Sequence, residues 1–78
     1  MQLGTRWNFG AQAPASLPES MLTEIRNVEQ SLIDRGIDSA GWRWTLTWLE
    51  GAPIAELDNG TTLRYTPHTG VVSTTFDE

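Results

Sequence analysis

Residues 42–48 read WRWTLTW, and apolar and polar residues alternate along this stretch without interruption. Alternation with a period of two is typical of a β-strand that has one face in the core and the other in solvent. The strand therefore places Trp42, Trp44 and Trp48 on one face, together with Leu46. This stretch decides the fold class, but its residues indicate no reaction chemistry.

Three turn signals separate this strand and three further strands that follow it: Glu50-Gly51, Asp58-Asn59-Gly60 and Pro67-His68-Thr69-Gly70. If Gly60 is the bulge residue of a three-residue loop, Ala55 opposes Leu63, and the four-residue loop then sets Tyr65 opposite Val72. One face of the resulting meander collects most of the large apolar side chains, and the other face collects mainly polar ones together with Ile54. The first face carries Trp42, Trp44, Leu46, Trp48, Ala55, Leu57, Leu63, Tyr65, Val72 and Phe76.

One helix is predicted over about residues 17–35. Ser16 and Glu19 have the spacing of a capping box, in which both side chains bind free backbone N–H groups of the first turn. Gly36 follows as a left-handed residue that ends the helix, and Ile37 is expected to pack back on it in a Schellman motif. The apolar positions form a stripe wide enough to lie on a sheet. They are Leu17, Met21, Leu22, Ile25, Val28, Leu32 and Ile33.

Glu29 falls inside this apolar stripe. Its carboxylate either reaches water at the edge of the stripe or is held in the core by a Trp N–H, Tyr65 or an arginine. In either alternative the charge has a partner, water in the first and a protein group in the second, as a carboxylate beside a core requires.

The fold class predicted is α+β: a single domain, residues 1–78, with a five-stranded, mainly antiparallel sheet and one helix across its apolar face. The first strand comes from the alternating residues 3–9. Because the last four strands form a meander, the first strand is expected at an outer edge. It lies either parallel to the second strand or antiparallel to the fifth, and the sequence favours neither.

Ten acidic residues against five arginines give a net charge of −5, and the chain has neither cysteine nor lysine. This balance argues against nucleic acid and anionic membrane as partners, since both attract basic proteins. No apolar run approaches the roughly 18 residues of a transmembrane helix, and no signal peptide is evident. A cytoplasmic location is the expectation, and the missing lysine reflects either genome composition or salt adaptation.

Catalytic and metal-binding signals are weak. His68, the only histidine, lies in a turn and is expected to be an ordinary exposed residue. Glu56 and Asp58 share the polar face of the sheet, where Arg43 and Arg64 are within cross-strand reach. An ion-pair ladder is therefore favoured over a carboxylate pair that holds a metal or divides acid and base roles. No catalytic residue, metal site or cofactor is assigned.

Three functional hypotheses follow. Five strands span roughly 20–24 Å, whereas a helix is about 10–12 Å across, so part of the apolar face stays uncovered. The first hypothesis is a non-enzymatic interaction domain that binds a protein or itself, as a weak homodimer, through exposed parts of the aromatic-rich sheet. The second is a small-molecule binding module with a Trp- and Tyr-lined pocket between helix and sheet, and the third is a minimal hydrolase that uses carboxylates or His68. The candidate binding residues are Trp42, Trp44, Trp48, Tyr65 and Phe76.

Overall fold

One helix packs on a five-stranded antiparallel sheet, which confirms the predicted α+β fold. The structure is a computed structural model that describes residues 5–76. Its elements in chain order are β1 (Arg6–Asn8), α1 (Glu19–Asp34), β2 (Arg43–Leu49), β3 (Ala52–Leu57), β4 (Thr62–Thr66) and β5 (Val71–Thr75). The strands lie in the order β1-β2-β3-β4-β5, so that β2 to β5 form a meander. Leu3 and Gly4 of the predicted first strand lie outside the described residues.

The register of β3 to β5 is the one predicted from the alternation of side chains, with Ala55 opposite Leu63 and Tyr65 opposite Val72. For β2 and β3 the sequence predicted only a shared face, with a loop of two or four residues. The structure has the two-residue loop Glu50-Gly51, which sets Leu46 opposite Ala55. Gly60 has a φ of +96°, a conformation that favours glycine because a Cβ would be strained there. This glycine ends the β3–β4 loop and thereby determines which residues of β4 and β5 lie on each face of the sheet.

β1 occupies an outer edge as expected, but it runs antiparallel to β2, with Trp7 opposite Trp44. The predicted orientations, parallel to β2 or antiparallel to β5, are therefore wrong. The reason is the path of the β1–α1 connection. Gly10 contacts Glu29 near the far end of the helix, and the connection then runs back along the helix to its first residue. Because this segment and the helix run in opposite directions, the helix ends close to the end of β1. Strand β2 therefore starts beside the end of β1.

The predicted capping box at the start of α1 does not form. Pro18 is the N-cap, and no side chain caps the helix. A residue that precedes a proline is biased away from the helical region, so Leu17 stays outside the helix and Ser16 is too distant to cap it. At the other end the Schellman motif is confirmed, since the N–H groups of Gly36 and Ile37 donate to the carbonyls of Ile33 and Leu32.

The core lies between α1 and one face of the sheet. Ile33 is the exception to the predicted stripe, because it is 55% exposed. Ile33 and Leu22 lie on the same side of the helix, about 100–120° round from the centre of that stripe. Leu22 is half-buried because it faces the cleft beside the 9–18 connection, whereas Ile33 lies beyond Glu29, where that connection meets the helix. The buried apolar residues are Trp7, Leu17, Met21, Ile25, Val28, Leu32, Trp44, Leu46, Ala55, Leu57 and Leu63.

Candidate interaction sites at the β5 edge and beside Glu29

The Glu29 carboxylate joins three elements of the fold. Its Oε2 accepts a hydrogen bond from the indole Nε1 of Trp44 at 2.9 Å and another from the backbone N–H of Gly10 at 2.9 Å. Of the two alternatives for this residue, the structure shows the one in which a Trp N–H holds the carboxylate. Helix α1, strand β2 and the β1–α1 connection are therefore tied together at one oxygen.

Two tryptophans stack across the β1–β2 pair. The rings of Trp7 and Trp44 are 6.1 Å apart between centroids and inclined by 14°. Trp44 Nε1 is bound by Glu29, whereas the buried Trp7 Nε1 has no hydrogen-bond partner among residues 5–76. Beside them, Phe9 meets the edge of Trp42 at 6.4 Å. These aromatic rings close the core at the β1 edge, and Trp44 in particular is inaccessible to a ligand.

A cleft of about 470 Å³ opens between α1 and the β1–α1 connection. Its volume lies within the range of small-molecule sites, about 300–1,000 Å³. The cleft combines an apolar floor, Leu22 and Ile25, with the charged groups of Arg26 and Glu29. Tryptophans and Tyr65 are not among its described lining residues, so it differs from the aromatic pocket predicted from the sequence. The remaining lining residues are Gly10, Ala11, Gln12, Ala13 and Ala15.

Among residues 5–76, no strand pairs with the outer edge of β5, and we call this edge free. The Leu57 N–H donates to the Thr61 carbonyl, so the backbone groups of Thr61 point toward β3. Backbone groups along a strand point alternately to its two neighbours, and the register of β4 with β5 carries this alternation into β5. The groups of Ser73 therefore face β4, and those of Val72 and Thr74 face outward. Natural sheets protect such edges with lysine, proline, charge or bulges. Residues 71–76 contain none of these.

A groove of about 220 Å³ runs between α1 and β5, directly beside this edge. Phe76, which is 65% exposed, lies at the groove together with the buried Val28 and Leu32. Across the groove, the Thr74 hydroxyl donates to the Glu24 carboxylate at 2.8 Å. The other lining residues are Asn27, Ser31 and Arg35. The edge thus combines free main-chain groups with an apolar depression on its helix side.

The five predicted binding residues separate into three groups. Trp44 is fully buried. Trp42, Trp48 and Tyr65 are half-buried and pack against the core. Phe76 alone among them is mostly exposed, and it adjoins the free edge of β5. Val71, which is 55% exposed at the other end of β5, was not singled out from the sequence.

Glu56 and Asp58, the two carboxylates on the polar face of the sheet, have no common hydrogen-bond partner among residues 5–76. Asp58 Oδ2 accepts a hydrogen bond from the backbone N–H of Arg43 at 3.0 Å and so continues the β2–β3 pairing past the end of β3. Glu56 lies between Thr45 and Thr62 on the exposed face. Within residues 5–76 no group of three or more His, Cys, Asp or Glu side chains could hold a metal ion. In the same part of the chain, no helix has the length and apolar character needed to cross a membrane.

His68 is exposed in the turn between β4 and β5. We expect His68→Ala to change the free energy of unfolding by less than about 0.5 kcal/mol, as is usual for surface positions without special contacts. Urea denaturation of both proteins tests this. A larger loss of stability would assign His68 a structural role that its exposed position does not indicate.

Comparison of the chain with protein-family models, curated proteins and solved structures found no significant match.

Proposed function

We propose that this chain is a non-enzymatic interaction domain that binds an extended protein segment along the free edge of β5. One observation carries the proposal: the edge of β5, residues 71–75, carries no charge and no protecting residue, and the side chains of Val71 at its start and Phe76 just after its end are exposed and apolar. An edge of this kind is a template for strand addition. The half-buried tryptophans then serve mainly to hold the sheet rigid.

Main-chain hydrogen bonds would supply the affinity for the bound segment. The groove between α1 and β5 would select among segments by their side chains. An added strand would exchange hydrogen bonds with Val72 and Thr74. Alternate side chains of that strand would point to the helix side of the sheet, next to Phe76 and the groove. Small or apolar side chains fit there, because Val28 and Leu32 form the apolar part of its lining.

A protein partner suits the charge of the molecule better than a nucleic acid does. The net charge is −5, which opposes binding to phosphates. The exposed face of the sheet carries Arg43 and Arg64 but no aromatic side chain, so it offers no surface for stacking bases.

The proposal is tested at Thr74 with two variants. Both Thr74→Pro and Thr74→Val lose the hydroxyl that binds Glu24, but only proline removes the outward N–H group. Proline is tolerated on an edge strand when its missing N–H faces solvent. With the peptide VVSTTF as the probe strand, we expect Thr74→Val to bind and Thr74→Pro to bind about tenfold or more weakly.

The readout is the backbone amide spectrum of labelled protein during the peptide titration. The amides of Val72 and Thr74 should shift and gain protection from hydrogen exchange on binding. Equal binding by the proline and valine variants, or shifts confined to β1, would contradict the assignment to the β5 edge.

A second candidate function is the binding of a small organic anion in the cleft beside Glu29. The size of the cleft and its lining, in which Arg26 occurs together with the apolar Leu22 and Ile25, favour this alternative. Benzoate is a suitable probe, since its carboxylate would pair with Arg26 and its ring would lie on Leu22 and Ile25. Chemical-shift changes at these residues that disappear in Arg26→Met would support the site, and their absence at millimolar benzoate would dismiss it.

A further inference from the structure

We propose that the strand that occupies the β5 edge is β5 of a second copy of this chain. The two strands run antiparallel about a twofold axis that passes beside Ser73, and the two sheets become one continuous sheet. This inference rests on the proposed role of the β5 edge and names its occupant.

The positions of the outward backbone groups define the register. Val72 and Thr74 lie symmetrically on either side of Ser73, so an antiparallel pair centred on Ser73 sets Val72 of each copy opposite Thr74 of the other. Each of these residues can then exchange both its N–H and its C=O with the residue opposite, as in a hydrogen-bonded antiparallel pair. A centre on Thr74 would instead set Val72 against Phe76, which lies beyond the end of β5. A centre on Val72 would set Thr74 against Gly70, whose N–H is already bound to the Thr66 carbonyl.

The same register covers the most exposed aromatic ring. Phe76 falls next to Gly70 of the second copy, the residue of the β4–β5 turn that has no side chain. A Cβ at Gly70 would meet only the Tyr65 hydroxyl, at 4.0 Å, so space is available for the ring of Phe76. An aromatic side chain packed over a glycine on a neighbouring strand is a known source of strand-pair stability.

The charges on the sheet do not oppose this pairing. Residues 71–76 carry no charge, so the two paired strands bring no like charges together. The nearest cations on the exposed face are the Arg64 side chains, each opposite Ser73 of its own copy. They would be separated by three strand spacings, roughly 14 Å, which exceeds the Debye length of about 8 Å at physiological salt.

Ser73 offers a direct test, because its exposed side chain would face Ser73 of the second copy across the axis. Cβ atoms of directly opposed residues are about 4.5–5.5 Å apart. We expect wild-type protein to dimerise in sedimentation equilibrium at millimolar concentration. Ser73→Lys alone and Ser73→Glu alone should weaken the dimer by about tenfold or more through repulsion of like charges. An equimolar mixture of the two variants should recover a one-to-one dimer.

Thr75→Lys is the matched control, since it adds the same charge to the same strand and face but lies opposite Val71. It should leave the dissociation constant within a few fold of the wild-type value. Phe76→Ala should weaken the dimer by about tenfold, because each copy loses a covered aromatic ring. Hydrogen exchange at Val72 and Thr74 should slow as the protein is concentrated.

The outcomes separate this inference from the proposed function. If wild-type protein stays monomeric at millimolar concentration while Ser73→Lys binds the VVSTTF peptide, the second copy is wrong as the occupant and the strand-binding edge stands. If neither dimer nor peptide complex forms, both proposals are wrong. A dimer that both charge variants leave unchanged would place the self-contact elsewhere and overturn the register.

Discussion

Trp44→Ala is expected to lower the free energy of unfolding by about 3–5 kcal/mol. The side chain is fully buried, stacks on Trp7 and donates its indole N–H to Glu29. Truncation leaves a cavity, an unpaired aromatic ring and a carboxylate that has lost one donor. Because a single core in a chain of about 70–80 residues rarely supplies more than about 3–5 kcal/mol, much of the variant should be unfolded near room temperature.

Trp48→Ala is the matched control, because it truncates the same residue type on the same face of β2. Trp48 is only half-buried at the core margin, and we expect a cost of about 1–2 kcal/mol. Trp44→Phe should fall between the two, since it keeps a stacked ring and loses the N–H donor. Urea denaturation followed by circular dichroism ranks the three variants. A cost for Trp44→Ala no larger than that for Trp48→Ala would contradict the central position of Trp44 in the core.

The meander was predictable because two constraints agreed. Side-chain parity along β2 to β5 and the turn chemistry at Gly60 place Leu46, Ala55 and Leu63 on one face and set Ala55 opposite Leu63, although a two- or a four-residue loop after β2 satisfies the same parity. A slip of one residue would move an entire strand's apolar side chains to solvent. Local chemistry therefore contained enough information to determine long-range pairing in this half of the chain.

The orientation of β1 was not predictable in the same way. No turn signal joins β1 to β2, and the residues between them are loop and helix. The decisive contact is the bond from the Gly10 N–H to Glu29, which directs the 9–18 connection back along α1. Residue type gives no periodic signal for such a contact. In the sequence, the only indication of this contact was the acidic residue Glu29 within the apolar stripe of the helix.

The candidate site could be predicted only in part, for a related reason. The aromatic residues of the sheet were identified from alternation, but alternation does not distinguish a core ring such as Trp44 from an exposed one such as Phe76. Edge exposure depends on which strand ends the sheet. With β1 beside β2, β5 becomes the free edge, and Val71 and Phe76 acquire a significance that their local sequence does not show.

Glu29→Ala is expected to lower the free energy of unfolding by about 2–3 kcal/mol. The Trp44 indole N–H would be left buried without a partner, which costs about 1–3 kcal/mol. The Gly10 N–H is exposed and can bind water instead, so it adds less. Glu29→Gln should cost about 1 kcal/mol or less, because its amide oxygen can still accept from Trp44 although the charge is lost.

Glu24→Ala provides the comparison, since Glu24 lies on the same helix and its carboxylate accepts from the Thr74 hydroxyl. That hydroxyl can rotate to water, so we expect a cost of about 0.5–1 kcal/mol. Urea denaturation gives the three stabilities, and the indole N–H resonance of Trp44 reports the bond itself. In Glu29→Ala this resonance should shift and the 10–15 segment should exchange its amides faster, while Glu24→Ala should change neither. Equal costs for Glu29→Ala and Glu24→Ala, with the Trp44 resonance unmoved, would show that the loop, helix and sheet are held together by apolar packing alone.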